Sequence, residues 1–131
     1  MSDFPAVGHV AVTVKDLAVS RPWYQRLIGA EPVLDELTDG GFHHTVFLIG
    51  GTLIGLHEHP ACDRDDKFTE LRVGLDHIGF GVADRAALAT WESRLDELGI
   101  AHGGIVDAHY GSGLSFRDPD GIPLEFFAAP A

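Results

Sequence analysis

Gly8-His9-Val10-Ala11-Val12-Thr13-Val14 decides how the rest of the chain is read, because it has a second copy, Asp76-His77-Ile78-Gly79-Phe80-Gly81-Val82. Both stretches are short, alternating and rich in apolar or β-branched residues, the pattern of a half-buried strand. Each carries a histidine at the same place, and each is followed by an Asp and a segment of helical character. The offset continues: His9 and His77, Val14 and Val82, Asp16 and Asp84, and Trp23 and Trp91 are all 68 residues apart. Pro60 and Pro130, which close the two copies, are 70 apart. A fixed period of this kind marks an internal duplication. One histidine per copy at an equivalent place can serve a shared site.

Outward from these strands, each copy reads as strand, helix and three strands. In the first copy a strand over 7–14 leads into a helix over 16–28. Asp16 or Ser20 can cap that helix, and Gly29 can end it in the left-handed conformation. Pro22 suits the first turn of a helix starting at Ser20 better than the interior of one starting at Asp16, so a late start is expected. Trp23, Leu27 and Ile28 would form its buried stripe. Strands follow over 31–37, 42–49 and 52–59, separated by Thr38-Asp39-Gly40-Gly41 and Gly50-Gly51.

The second copy has a strand over 75–82 and a helix over 84–98. Asp84 caps that helix, Gly99 stops it, and Leu88, Trp91, Leu95 and Leu98 face inward. Short strands are expected over 105–109, 114–117 and 122–128. Tyr110-Gly111-Ser112-Gly113 reads as a loop and Asp118-Pro119-Asp120-Gly121 as a tight turn. The expectation is an α+β fold in a single domain over 1–131. Module one spans 5–60, a polar, turn-rich linker spans 61–73, and module two spans 74–130.

Composition narrows the function. With 131 residues, 45% apolar and 22% charged, the chain has the make-up of an ordinary globular domain. A net charge of −11 with only nine Lys and Arg argues against nucleic-acid binding, which needs clustered cations. A single cysteine, Cys62, excludes an intrachain disulfide and favours a reducing compartment. Met1-Ser2-Asp3-Phe4-Pro5 lacks the basic and apolar regions of a signal peptide. No apolar run approaches the ~18 residues of a membrane span. A soluble cytoplasmic protein is expected.

Strand periodicity then orients the candidate site. In the last strand, Leu124 and Phe126 share one face, and Glu125 and Phe127 the other. The apolar face suits a packed helix, so Glu125 should point away from it. Aligning the closing prolines sets Gly55 opposite Glu125. Ile54 and Leu56 then face the helix, His57 and His59 lie on the side of Gly55, and Glu58 points the other way. His9, His77 and Glu125 form the candidate ligand set, with His57 the candidate fourth. His59 shares the face of His57, and Glu58 is one register slip away. Two or three imidazoles with one carboxylate suit a divalent ion such as Fe, Mn, Co, Ni or Zn. Fewer than six protein ligands leave positions open for water or substrate.

Other polar residues are weaker candidates. Of His43 and His44, one points outward in any register. His43, Phe47, His59, Tyr110 and Ser112 are the candidate pocket lining. His102 reads as a solvated loop residue, and Trp23 and Trp91 as helix–sheet core. Cys62 has no histidine partner in view and is not expected to act as a catalytic thiol.

Several segments resemble the vicinal oxygen chelate superfamily, the group of glyoxalase I, bleomycin resistance protein and extradiol dioxygenases. They are Gly8-His9-Val10-Ala11-Val12, Trp23-Tyr24 through Leu27-Ile28-Gly29, and Leu75-Asp76-His77-Ile78-Gly79-Phe80, followed by Phe116-Arg117-Asp118-Pro119-Asp120-Gly121-Ile122-Pro123-Leu124-Glu125-Phe126. The resemblance covers nearly the whole chain. Its most specific part is the Asp-Pro-Asp-Gly turn followed by Leu-Glu-Phe.

The resemblance implies tandem βαβββ modules forming a cupped mixed sheet around one divalent metal, with helices on the outer face. His9 and His77 match the first-strand ligands and Glu125 the last-strand ligand. The remaining ligand of the family falls on Gly55, a departure that leaves His57 as the nearest suitable side chain. His57 and Glu125 are then the residues expected to carry catalysis.

The implied chemistry acts on vicinal oxygens or an enolisable carbonyl. It is of isomerase or lyase type, with His57, His59 or Glu58 as base, or of Fe(II) dioxygenase type. Thiol transfer to an epoxide also occurs in the family, and its members are commonly homodimers. The alternative is a non-catalytic protein of the same fold that binds a drug or another small molecule.

Overall fold

Both helices begin on an aspartate that stays outside the helix. In the computed structural model, which describes residues 2–131, Asp16 and Asp84 have extended backbones. Their carboxylates accept from the amides of Ala18 and Ala87, satisfying donors that the first helical turn leaves unpaired. Helix α1 (Leu17–Ile28) and helix α2 (Arg85–Glu97) follow. Gly29 (φ 78°) and Gly99 (φ 71°) take the left-handed conformation after them, where glycine carries no steric penalty.

The late start expected for α1 is corrected: the helix begins at Leu17 and holds Pro22 in its interior. An acceptor from elsewhere in the fold anchors the early turn, because Glu58 Oε1 takes the Leu17 amide at 3.0 Å. The buried stripe also differs from the expected one: it is Leu17, Ser20, Tyr24 and Leu27. Tyr24, not Trp23, is fully enclosed, and Trp23 stands edge-on to it at 4.9 Å.

The chain divides into two compact units, one running to Asp66 and the other starting at Lys67. The first holds α1 and a four-stranded sheet of β1 (His9–Thr13), β2 (Leu34–Leu37), β3 (His43–Ile49) and β4 (Thr52–Glu58), in the order β1-β4-β3-β2. The second holds α2 and a four-stranded sheet of β5 (Ile78–Val82), β6 (His102–Ala108), β7 (Gly111–Arg117) and β8 (Pro123–Ala128), in the order β5-β8-β7-β6. In both, the first strand runs parallel to the last and the remaining pairs are antiparallel. A parallel pair needs a long crossover, and each helix lies within one. These are two βαβββ modules, and the fold is α+β.

Within each unit the core lies between the helix and one sheet face. Val12, Leu27, Phe47, Ile54 and Leu56 are buried in the first unit, and Leu88, Leu95, Leu114, Leu124 and Phe126 in the second. Trp91 stacks on Phe126 with ring centroids 4.3 Å apart, joining α2 to its sheet.

Two expectations for the second unit are corrected. β6 begins at His102, with an irregularity before Ile105. His102 is therefore no loop residue: it is 14% exposed and its Nε2 is 2.7 Å from Asp96 Oδ1. Gly111, Ser112 and Gly113 belong to β7, not to a loop. Gly111 (φ 142°) pairs there because it has no side chain: a Cβ would overlap the Phe127 ring and the Ala128 carbonyl.

The turn before β8 is tied by Asp118, whose Oδ1 accepts from the amides of Asp120 at 2.9 Å and Ile122 at 2.8 Å. Gly121 (φ 82°) completes it. Among the described residues, no helix is long and apolar enough to cross a membrane.

Candidate metal centre

Strand register defines equivalent positions in the two sheets. β1 pairs with β4 so that His9 meets Leu53, Ala11 meets Gly55 and Thr13 meets His57. β5 pairs with β8 so that Gly79 meets Glu125. Ala11 and Gly79 each stand two residues beyond their histidine, so Gly55 and Glu125 occupy matching places. Paired residues point to the same side of a sheet. Leu124 and Phe126 are buried toward α2, and Glu125 lies on the opposite, open face with Gly79.

In the second unit, His77 directly precedes β5, and its Nε2 is 4.0 Å from Glu125 Oε1. The side chains are 46% and 25% exposed. The other ring nitrogen of His77, Nδ1, is 2.7 Å from Asp76 Oδ1. Glu125 is held on its far side, where Ser115 Oγ donates to Oε2 at 3.4 Å. Gly113 leaves the space this carboxylate fills, since a Cβ there would stand 2.9 Å from Oε2.

In the first unit, His57 occupies the region that a side chain at Gly55 would enter. Its Nε2 is 3.4 Å from where a Gly55 Cβ would be. Phe42 stacks on the His57 ring at 4.6 Å and lies against His59 at 4.7 Å. His44 faces His57 across the strands, with ring centroids 6.0 Å apart. Partial burial, followed by the charges of His44, His59 and His9, pushes the His57 pKa below its ordinary value. The neutral ring that results at pH 7 keeps a lone pair for a ligand or a proton.

Several expected lining residues lie elsewhere. His43 pairs with Glu58 on the α1 side of the sheet, where its Nε2 is 2.7 Å from Asp35 Oδ1. Thr45 Oγ1 also donates to Asp35, and Arg21 of α1 pairs with it. Desolvation raises the Asp35 pKa, but the hydrogen bonds from His43 and Thr45 and the charge of Arg21 bring it below the usual value. Phe47 is wholly enclosed in the core. Ser112 pairs with Ala128 on the α2 side and donates to Asp107 at 2.6 Å. None of these three shares the open face with His57 or Glu125. Tyr110 does, stacking over Phe127 at 6.3 Å, and it is 65% exposed. Glu58 is committed to the Leu17 amide and to Arg64 at 3.9 Å, so it is no free base.

Of the His43 and His44 pair it is His44 that lines the site, and Asp76, Ser115, Gly113 and Phe42 are the neighbours not singled out from sequence as lining. Asp76 carried a signal, its adjacency to His77. The others depend on cross-strand register, which composition does not reveal.

In the second unit His77 and Glu125 face each other as a donor pair. Among the described residues, no group of three or more His, Cys, Asp or Glu side chains is gathered closely enough to hold an ion. The pair of the second unit fits one by spacing and chemistry. Two donors each about 2.1 Å from a common ion stand roughly 3–4 Å apart over the usual bond angles. The 4.0 Å between His77 and Glu125 lies at the long end of that range.

The sequence profile of the Glyoxalase/Bleomycin resistance protein/Dioxygenase superfamily matches residues 6–126. The chain belongs to this superfamily. A crystal structure of a glyoxylase/bleomycin resistance protein/dioxygenase domain from Frankia sp. EAN1pec shares 36% identity with it, at a TM-score of 0.84. That likeness covers 98% of this chain and 94% of the other. Among relatives by sequence, the metallothiol transferase FosB of Shouchella clausii is 31% identical over 123 residues, 91% of this chain and 77% of that protein. Biphenyl-2,3-diol 1,2-dioxygenase 3 of Rhodococcus globerulus is 28% identical over 139 residues, 99% of this chain and 68% of that protein. A shorter match, 39% identical over 51 residues, spans 16% of the length of MhqA of Bacillus subtilis.

Proposed function

We propose that this superfamily member is a divalent-metal-dependent enzyme acting on a small molecule with vicinal oxygens or an enolisable carbonyl. The metal ligands are His9, His77 and Glu125, with His57 as the fourth. The observation that carries the reading is the pair in the second unit, where His77 Nε2 and Glu125 Oε1 face each other at 4.0 Å on the open side of the sheet. The shared register, which sets His9 and His57 on one face of the first sheet, supports the rest of the set.

A bound ion would stabilise negative charge developing on the substrate oxygens. The protein's part is to hold and orient. Ser115 and the vacant space at Gly113 fix the Glu125 carboxylate. Where the His57 ring is not taken up as a ligand, its lowered pKa leaves it neutral and able to accept a proton at neutral pH. His59, beside it across Phe42, is the second candidate base. Isomerase or lyase chemistry would use that base, whereas ring cleavage would need only two histidines, one carboxylate and iron. The names of the relatives, a metallothiol transferase and a biphenyl-diol dioxygenase, keep thiol transfer and ring cleavage in view. The same reading takes the protein as a cytoplasmic homodimer, which fractionation and native mass would check.

A second reading is a non-catalytic binding protein of this superfamily. It is favoured by the flat ring surfaces on the open faces: Phe42 against His57 and His59, and Tyr110 over Phe127. Metal analysis of the purified protein separates the two. A stoichiometric divalent ion, or a melting temperature raised by added Mn(II), Zn(II) or Fe(II), supports the enzyme. A metal-free protein whose melting temperature ignores all three ions leaves the binding protein. Oxygen uptake on catechols by the iron-loaded protein distinguishes ring cleavage from isomerase or lyase chemistry.

A further inference from the structure

We propose that Asp76 is a positioning residue that selects the tautomer of His77. Asp76 Oδ1 lies 2.7 Å from His77 Nδ1. An ionised carboxylate can only accept, so the ring hydrogen belongs on Nδ1 and the lone pair on Nε2. Nε2 is the atom that faces Glu125. Without such a partner, a neutral imidazole moves its hydrogen between the two nitrogens. The form bearing it on Nε2 has no lone pair to offer there. Outer carboxylates that hold a histidine in this manner also fix the ring orientation and raise its basicity.

The duplication supplies an internal contrast. Gly8 stands before His9 where Asp76 stands before His77. The histidines occupy equivalent strand positions, yet only His77 has a carboxylate beside it from the preceding residue. The second copy therefore presents a prepared donor at its histidine, while His9 must be oriented by other means. Asp76 itself is 70% exposed, so its removal leaves the packed core untouched.

The metal consequence rests on the proposed function; the tautomer does not. Long-range proton–nitrogen NMR of the metal-free full chain at pH 8 reads the tautomer directly, with His77 assigned by its disappearance in His77→Ala. The expected result is a dominant Nδ1–H form in the wild type, a shift toward Nε2–H in Asp76→Ala, and an intermediate position in Asp76→Asn. An unchanged His77 tautomer in Asp76→Ala overturns the proposal. Calorimetric titration with Zn(II) should then show binding about 10- to 100-fold weaker in Asp76→Ala. Equal affinity despite a shifted tautomer overturns the positioning role. If the wild type binds no divalent ion while the tautomer still shifts, the enzyme reading falls and the assignment of Asp76 stands.

Discussion

His77 Nε2 and Glu125 Oε1 face each other across 4.0 Å, one just ahead of β5 and the other inside β8. If they ligate a common ion, His77→Ala and Glu125→Gln should each weaken Zn(II) or Mn(II) binding by roughly 100-fold or more, beyond the loss typical of outer residues. Both positions are partly exposed, so thermal unfolding of the metal-free protein should barely change. Titration calorimetry measures the first effect, and variants that bind within twofold of wild type would refute the ligand assignment.

Gly113 tests the support of Glu125 without touching a donor. A Cβ at this position would stand 2.9 Å from Glu125 Oε2. The group that must yield is the end of a flexible side chain, so Gly113→Ala should fold normally. It should gain roughly 0.5–1 kcal/mol from lower chain entropy, less the cost of moving the carboxylate. Metal affinity should fall about 10-fold as the carboxylate turns aside. Unfolding curves and calorimetry on the same sample separate the two effects.

Glu58 tests the opposite face. Its Oε1 accepts the Leu17 amide at 3.0 Å, at the start of α1. Glu58→Ala should cost about 1 kcal/mol, the usual value of a helix-start acceptor. It should leave metal affinity unchanged. A variant of wild-type stability that has lost metal binding would place Glu58 in the site after all.

Acid stability should carry the mark of Asp107. The hydrogen bond from Arg85, then that from Ser112, holds its pKa at about 2 against an ordinary 3.8. Because the folded state keeps the carboxylate ionised more readily than the unfolded state does, this contribution is fully present above about pH 4 and is lost as pH falls through 2. In Asp107→Asn the melting temperature should fall less steeply between pH 4 and 2 than in the wild type. Parallel slopes in the two proteins would mean that the ion pair does not matter in solution.

The order of elements was legible because it is written locally. Asp16 and Asp84 cap, Gly29 and Gly99 terminate, and the histidine-bearing strands repeat at a fixed offset. The equivalence of Gly55 and Glu125 was legible from the closing prolines Pro60 and Pro130, which are 70 apart where the first strands are 68 apart. What escaped was the face of each middle strand. His43 and His44 differ by one residue, and a one-residue shift reverses a side chain. Only pairing with β4 puts His44 with His57 and sends His43 to Asp35. Ser112 was displaced from the expected lining because 111–113 pair as strand, which depends on the approach of Phe127 to Gly111. Tyr24 replaced Trp23 in the core because the face that α1 turns inward is set by its packing on β3 and β4, strands distant in sequence. Each miss depends on a partner far along the chain.

The matched pairing of β1 with β4 and of β5 with β8 makes the molecule its own control experiment. Position 55 shows the last-strand backbone with no side chain at all, and position 125 shows the same backbone bearing an acid. Positions 8 and 76 repeat the contrast ahead of the two histidines. Gly8 has no heavy atom within 4 Å of an added Cβ, so Gly8→Asp is sterically open. A Cβ at Gly55 would lie at ordinary contact distance from His57 and Ala11, so an acid there requires the His57 ring to turn aside. Acids can therefore be written into the first copy one at a time, on a scaffold whose second copy already displays the intended geometry.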